Sequence, residues 1–194
     1  MNKCKVLPNN LSGVLAVPGD KSISQRVTLL CGIAKGRSHV KGFLNGDDAK
    51  STLLAMKSLG VKFEFLSDTE LFIDGINGNF IQPNKKLDLG NSGTGTRLLA
   101  GLLSGLGINV EIIGDKSLSS RPMNRIKIPL EKMGAKICLS GENNTLPMKI
   151  SSSRLEGITY EMPVASAQVK SALLFAGLYA KGSTTIIEPS FTRD

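Results

Sequence analysis

The segment that decides the fold reads Leu87-Asp88-Leu89-Gly90-Asn91-Ser92-Gly93-Thr94, and Leu98-Leu99-Ala100-Gly101, Gly107 and Ile108-Asn109-Val110-Glu111-Ile112-Ile113 follow it. This order predicts a strand, a polar turn, a helix, a glycine that ends the helix, and a second strand. The same order occurs about seventy residues earlier, from Val17, and about seventy residues later, from Tyr160. The sequence therefore predicts a chain built from repeated structural units.

Each of the first two copies continues with a second helix that ends on a glycine, Gly60 or Gly134. A strand follows, and polar turn residues then predict a closing hairpin. We expect an α/β fold of repeated βαβαββ units, covering about 15–82 and 83–153. A third unit, 154–194, has only its first strand, helix and strand, so we expect it to be incomplete and to need a neighbour.

Composition excludes several classes of protein. A chain of 194 residues with 41% hydrophobic residues suits a domain with a real core and is neither disordered nor a disulfide mini-protein. Its net charge of +8 calls for anionic partners or a solvated face, and aromatics at 5% argue against a single-stranded nucleic acid platform. Three scattered cysteines, no signal-like start and no apolar run long enough for a bilayer favour a reducing, cytoplasmic setting without a membrane partner.

Small polar and basic residues recur where the first strand of each unit meets its first helix. Unpaired N–H groups and partial positive charge at helix starts attract anions, so three aligned starts would form an anion pocket. Ser22 and Ser166 could equally be ordinary N-caps. The three sets are Asp20-Lys21-Ser22 with Arg26, Asn91-Ser92-Gly93-Thr94, and Ala165-Ser166-Ala167-Gln168.

Arg121 and Gly93 are further candidates for the anion pocket. Gly93 would let a ligand approach the backbone, although a tight turn explains it equally well. Pro122 suits the first position of the next helix, which would place Arg121 at its mouth, where a guanidinium can grip a carboxylate or phosphate. We interpret Arg125 and Lys127 as part of a solvated helix face. Lys170 could belong either to such a face or to the anion pocket.

Acid–base and metal chemistry find little support in these residues. His39 is the only histidine and falls in a predicted strand, so neither a histidine triad nor a two-histidine metal site can be assembled. Asp47 and Asp48 precede a helix, where capping is favoured over catalysis. We therefore assign no catalytic residue and no metal ligand.

At these motifs the whole chain resembles the N-terminal part of the 5-enolpyruvylshikimate-3-phosphate synthase family, in its second sequence class. The resemblance implies transfer of an enolpyruvyl group from phosphoenolpyruvate to shikimate 3-phosphate, with release of phosphate and without a cofactor or metal. It also implies units with helices inside and sheets outside. The matching stretches are 18–26, 90–97, 115–123 and 166–172.

The resemblance assigns residues to the shikimate 3-phosphate side. Lys21 would touch both substrates, and Ser22 and Arg26 would hold the ring substituents, chiefly the carboxylate. Ser166 and the backbone of Ala167 would meet the phosphate. At the end of the chain, the resemblance adds Arg193 beside the shikimate site and Ser190 as a weaker candidate for the phosphate.

It likewise assigns residues to phosphoenolpyruvate. Gly93 and Arg121 would contact this substrate, Asn91 and Thr94 would shape its corner, and Gln168 would lie between the two substrates. Gly93 would also leave room for the herbicide glyphosate. Cations and helix starts would neutralise two phosphates and two carboxylates that otherwise repel one another.

Length departs from the family pattern, because the chain covers roughly half of a family member or slightly less. The family's acid–base carboxylates belong to a C-terminal domain that we expect to be absent, so we expect a fragment that binds substrate without turnover. In the family, a first strand, here about 1–14, belongs to the other domain. Intact members are usually monomeric, and the sequence does not predict the fragment's own oligomeric state.

Two rival functions stay open at this point. The related enolpyruvyl transferase that acts on UDP-N-acetylglucosamine usually has Lys-Asn where this chain has Lys21-Ser22, and a reactive cysteine that 115–121 lacks. A non-catalytic anion-binding or nucleic-acid-binding domain would explain the charge of +8 and predicts basic residues spread over an outer face.

Overall fold

The computed structural model describes residues 4, 5, 7, 10 and 12–190, which contain five α-helices and nine strands. Helices and strands are interspersed along the whole described chain, which confirms the α/β class. The elements are α1 (Lys21–Ile33), β1 (Lys35–Lys41), α2 (Asp47–Ser58), β2 (Lys62–Ser67), β3 (Glu70–Ile76), β4 (Leu87–Asp88), α3 (Gly93–Ser104), β5 (Val110–Ile113), a 3-10 helix (Leu118–Ser120), α4 (Asn124–Lys132), β6 (Lys136–Leu139), β7 (Met148–Ser151), β8 (Thr159–Glu161), α5 (Ala167–Gly177) and β9 (Thr185–Ile187).

The strands form three small sheets. The first has the order β1-β3-β2 and is antiparallel throughout. The second has the order β4-β5-β7-β6, in which β4 runs parallel to β5 and the other pairs are antiparallel. The third pairs β8 with β9 in parallel. Each parallel pair is joined through a helix, α3 or α5, as a crossover requires.

Both hairpin turns and the helix ends at Gly60 and Gly134 are confirmed, but the prediction that Gly107 ends its helix is wrong, because α3 already ends at Ser104 with Gly105 as its C-cap. The β2–β3 hairpin turns at Asp68-Thr69, and the β6–β7 hairpin encloses Gly141 to Asn144. Gly60 and Gly134 follow α2 and α4 with φ values of +104° and +100°. Only glycine adopts this backbone conformation without strain, so each glycine ends its helix and releases the chain into the next strand.

Helix α3 lies at the centre of the molecule. Every residue of α3 except Thr94 is buried, and the other four helices contact it. Gly101 lets α5 approach closely, because a Cβ at this position would lie 2.0 Å from the backbone oxygen of Ala172. A helix that is buried all round needs apolar or small side chains on every face, which is the composition of α3 apart from Arg97. Its start is therefore held in a fixed position.

One predicted strand is missing. Residues 12–20 have no regular secondary structure, although the repeat predicts a strand at Val17. Val14 and Val17 are exposed, so no sheet buries them. The segment instead makes a backbone contact at Gly19, where a Cβ would lie 1.9 Å from the Gly42 oxygen. Without a described strand alongside it to complete a ladder, the segment stays irregular.

No helix in the described part of the chain is both long and apolar enough to cross a membrane. Cys4, Cys31 and Cys138 are free cysteines.

Candidate functional site

The start of α1 is capped by Asp20, whose Oδ1 accepts a hydrogen bond from the Ile23 N–H at 2.7 Å. Ser22 consequently lies inside the first turn of α1, and its alternative interpretation as an N-cap is wrong. A carboxylate one residue before the helix reaches the third backbone N–H more directly than a hydroxyl already within the helix. Ser22 is half-buried and Lys21 is exposed beside it.

Lys21 pairs with an aspartate of α2. Its Nζ lies 2.9 Å from Asp48 Oδ2, whose side chain is only 22% exposed. Helix α2 begins at Asp47 with Gly46 as its N-cap, so the capping interpretation of Asp47 and Asp48 is wrong. Asp48 instead fixes the ammonium group of Lys21 between the starts of α1 and α2.

Gln25 joins the starts of α1 and α3. Its fully buried Nε2 donates to Ser92 Oγ and, at 3.2 Å, to the backbone oxygen of Asp48. Ser92 in turn caps α3 by accepting from the Gly95 N–H at 3.2 Å. Reasoning from sequence missed Gln25, although an amide on the buried side of a helix signals a polar partner elsewhere in the fold.

Gly93, the first residue of α3, lies between two guanidinium groups. A Cβ at this position would be 2.8 Å from Arg121 Nη1 and 3.0 Å from Arg97 Nη1. Any side chain would therefore displace at least one of the two arginines. The requirement for glycine therefore arises from the cationic neighbours, whereas the left-handed position of the preceding turn is occupied by Gly90, with φ +54°.

Arg97 is the second site residue that sequence reasoning left unassigned. Its guanidinium donates to the Gly93 oxygen, to Gln168 Oε1 and to the Pro122 oxygen at 3.2, 2.9 and 3.4 Å. Burial, followed by repulsion from Arg125 and Arg121, lowers the pKa of Arg97 to about 10. The sequence did contain a signal for Arg97, because it is the only arginine in a helix of otherwise apolar and small residues.

Arg121 faces the start of α3 from the turn after the 3-10 helix. It donates to Asn91 Oδ1 and, at 3.2 Å, to Ser117 Oγ. Asn91 also donates to Asp115 Oδ2 at 2.8 Å. Hydrogen bonds from the Leu118 N–H and then from Asn91, together with the charge of Arg121, hold the pKa of Asp115 below its usual value.

Pro122 does not begin the following helix, as the sequence predicted. Helix α4 starts at Asn124 with Met123 as N-cap, because the backbone first closes the 3-10 turn, where the Arg121 N–H donates to the Leu118 oxygen. Arg121 thus owes its position to this turn, and the prediction that it lies at the mouth of α4 is wrong.

The start of α5 completes the cluster. Ser166 caps α5 by accepting from the Val169 N–H at 3.4 Å, so its N-cap interpretation is confirmed. Gln168, in the first turn, accepts from Arg97 and donates to Thr94 Oγ1 at 3.0 Å. Ala167 is the first helical residue and is half-buried. Helices α3 and α5 are therefore tied together at their first turns.

The remaining candidates lie around this cluster. Arg26 donates to Ser171 Oγ of α5 through Nε and Nη2, at 3.2 and 2.9 Å. Lys170 pairs with Glu188 at 2.9 Å. Ser190 is exposed beyond β9, and Arg193 lies outside the described residues.

Arg125 and His39 meet the predictions made for them, but Lys127 does not lie on a solvated face, because its side chain is only 24% exposed. Arg125 is exposed on α4, as expected of a solvated face, and Lys127 is half-buried 3.7 Å from Glu131. His39 lies in β1, where it pairs with Glu70 and packs on Phe72.

Hydrogen bonds thus connect the first two turns of α1, α3 and α5, and cationic side chains surround the junction. Helix starts and guanidinium groups both stabilise negative charge, so the arrangement is chemically suited to bind a phosphate or carboxylate. The second and third predicted sets are in direct contact through Thr94 and Gln168, and the first set is linked to them through Gln25 and Arg26 of α1. Whether they bind substrate stays a prediction.

Fold and site together define an α/β protein that gathers basic side chains at the starts of its central helices. The sequence model of EPSP synthase (3-phosphoshikimate 1-carboxyvinyltransferase) matches residues 6–194, and the chain belongs to this family. The expected family is confirmed, and nothing in the comparisons favours the related UDP-N-acetylglucosamine enzyme.

Named relatives agree with this assignment. The 3-phosphoshikimate 1-carboxyvinyltransferases of Hydrogenovibrio crunogenus and Ruthia magnifica are each 50% identical to it, over 98% and 100% of this chain. An EPSP synthase structure from Acinetobacter baumannii aligns with a TM-score of 0.90 at 47% identity, over 94% of this chain. The chain spans 43% and 45% of the two relatives and 41% of the solved structure, or somewhat less than half.

Proposed function

We propose that the junction of α1, α3 and α5 is part of the substrate site of an enzyme that transfers the enolpyruvyl group of phosphoenolpyruvate to shikimate 3-phosphate and releases phosphate. The observation that carries the proposal is the pair of guanidinium groups, Arg97 and Arg121, on either side of Gly93. Membership of the family supports the choice of reaction.

Shikimate 3-phosphate would lie toward α1 and α5. Lys21, Ser22 and Arg26 would hold its carboxylate and ring substituents, and Ser166 with the Ala167 N–H would hold its phosphate. The proposal is supported by the Arg26–Ser171 hydrogen bonds, which keep the cation of α1 against α5. Arg193 is proposed to line the shikimate site, and Ser190 is a weaker candidate for the phosphate.

Phosphoenolpyruvate would lie toward the start of α3. Arg121 would grip its anionic oxygens, and Gly93 would leave space beside the backbone. Asn91 supports this role because it holds both Arg121 and Asp115. Thr94 and Gln168, which are bonded to each other, would separate the two substrates.

We further propose that residues 15–82, 83–153 and 154–194 are three successive repeat units, the last incomplete, with α1, α3 and α5 inside and the sheets outside. The burial of α3 and the order β4-α3-β5-α4-β6-β7 support this arrangement. Residues 1–14 would belong with a second domain in intact family members. We also propose that the intact enzyme is cytoplasmic and monomeric.

The 194 residues alone would bind substrate without turnover. The carboxylates at the junction are already committed: Asp48 pairs with Lys21, and the lowered pKa of Asp115 makes it a poor proton donor. We expect no phosphate release from mixtures of both substrates. Turnover at a rate comparable to intact family enzymes would contradict this part of the proposal.

Calorimetry tests the binding proposal with shikimate 3-phosphate, phosphoenolpyruvate and single-stranded DNA, each at two salt concentrations. We expect saturable heats for the two metabolites, and an Arg121→Gln variant with phosphoenolpyruvate affinity reduced at least about tenfold. Arg154→Gln, which removes the same charge at an exposed position, is the matched control. Binding of DNA alone, with strong salt dependence, would overturn the proposal.

A further inference from the structure

Arg97 connects three separate segments of the chain at the junction. Its side chain is 7% exposed, and its acceptors belong to the first residue of α3, the turn before α4 and the first turn of α5. Two of the acceptors are backbone oxygens, of Gly93 and Pro122, and the third is Gln168 Oε1. A planar guanidinium can reach all three at once because its donors form a rigid fork.

The charge of Arg97 has no carboxylate among these acceptors. Burying a cation against neutral groups is costly, and Arg121 brings a second cation to the same place. Its Nε–H is buried and has no hydrogen-bond partner among the described residues. Such an arrangement is a poor choice for stability alone, and it is expected where a bound anion supplies the missing negative charge.

We propose that Arg97 is a positioning residue of the anion site: it holds Gly93, Gln168 and the Arg121–Pro122 turn in the geometry that the anion requires. This inference rests on the proposed function, and it adds a residue that does not itself need to touch the ligand. The ligand class is a phosphate or carboxylate, for which Arg121 and the start of α3 supply the direct contacts.

The shape of the side chain, as well as its charge, is decisive in this proposal. Arg97→Lys keeps the charge but has a single ammonium group, which cannot reach three acceptors on three segments. Arg97→Gln removes both charge and fork. We expect phosphoenolpyruvate affinity, measured by calorimetry on folded protein, to fall at least about tenfold in both variants. Arg154→Gln should stay within about twofold of the unaltered chain.

A second measurement needs no ligand. In ¹H–¹⁵N spectra, the Gly93 backbone amide, the Gln168 side-chain amide and the Arg121 Nε–H should shift in both Arg97 variants and stay in place in Arg154→Gln. If these signals do not move, Arg97 positions nothing and the inference is overturned. If Arg97→Lys binds as tightly as the unaltered chain, charge alone suffices and the inference is again overturned.

The two proposals fail separately. If the unaltered chain binds neither phosphoenolpyruvate nor shikimate 3-phosphate, the proposed function fails. The ligand-free spectra still test whether Arg97 positions its neighbours. A purely structural role predicts a lower melting temperature with unchanged affinity of the folded protein, which would also contradict the inference. Arg97→Lys keeps the test available if Arg97→Gln does not fold.

Discussion

Helices α3 and α5 are both apolar and both begin at the cationic junction, but their surroundings differ. Helix α3 is covered on every side. In α5, by contrast, Leu174 is 51% exposed, and Leu178, the residue that follows the end of α5, is 59% exposed. Helix α3 contacts the four other helices, whereas α5 contacts mainly α3. An apolar helix sequence can therefore form either a fully buried helix or a partly exposed one, depending on the elements that pack around it.

The largest difference should appear in leucine truncations. Leu102→Ala in α3 removes a fully buried side chain, and Leu174→Ala in α5 removes one that is half exposed. We expect the free energy of unfolding to fall by about 2–5 kcal/mol for the first and by less than about 1 kcal/mol for the second. Urea denaturation of both variants measures this. Equal losses would show that α5 is covered as fully as α3.

A smaller effect is expected where the two helices touch. Gly101→Ala would force a methyl group into the backbone of Ala172, so the helices must separate, at a cost of about 1–3 kcal/mol. Because α5 has fewer other neighbours, its amides should exchange hydrogen faster than those of α3 in this variant. Lys50→Ala is the control, since it also introduces an alanine into a helix but at an exposed position of α2. Equally faster exchange in both helices would contradict the comparison.

Local patterns in the sequence were sufficient for most elements. The hairpins and the helix ends at Gly60 and Gly134 depend on turn chemistry and apolar periodicity, which act over a few residues. The grouping of the three helix starts was expected because the same local pattern recurs about every seventy residues. The strand at Val17 was mispredicted because a strand also needs a neighbour with which to pair. Its sequence pattern says nothing about that neighbour.

The site was harder to predict for the same reason. Asp48, 27 residues from Lys21, and Gln168, 71 residues from Arg97, become partners only through tertiary packing. Gln25 and Arg97 stood in helices whose other residues suggested a core, so their polar character was the only local sign of a role. Family resemblance suggested which residues would touch substrate, which stays a prediction, but the contacts that hold them in place came from the structure.

The smallest effect that we expect concerns electrostatics at the start of α3, compared with the start of α5. The turn facing α3 contains Asp115, whose pKa is lowered by hydrogen bonds from the Leu118 N–H and Asn91. Since the folded pKa lies below the unfolded value, this carboxylate stabilises the fold above about pH 4, and the contribution is lost as the pH falls through the folded pKa. Asp115→Asn should therefore unfold at lower urea than the unaltered chain at pH 6, and the gap should close below about pH 4. Asp68→Asn, in the β2–β3 turn, controls for loss of an exposed charge. A gap that persists unchanged to pH 2 would show that ionisation of Asp115 does not hold the turn at the start of α3.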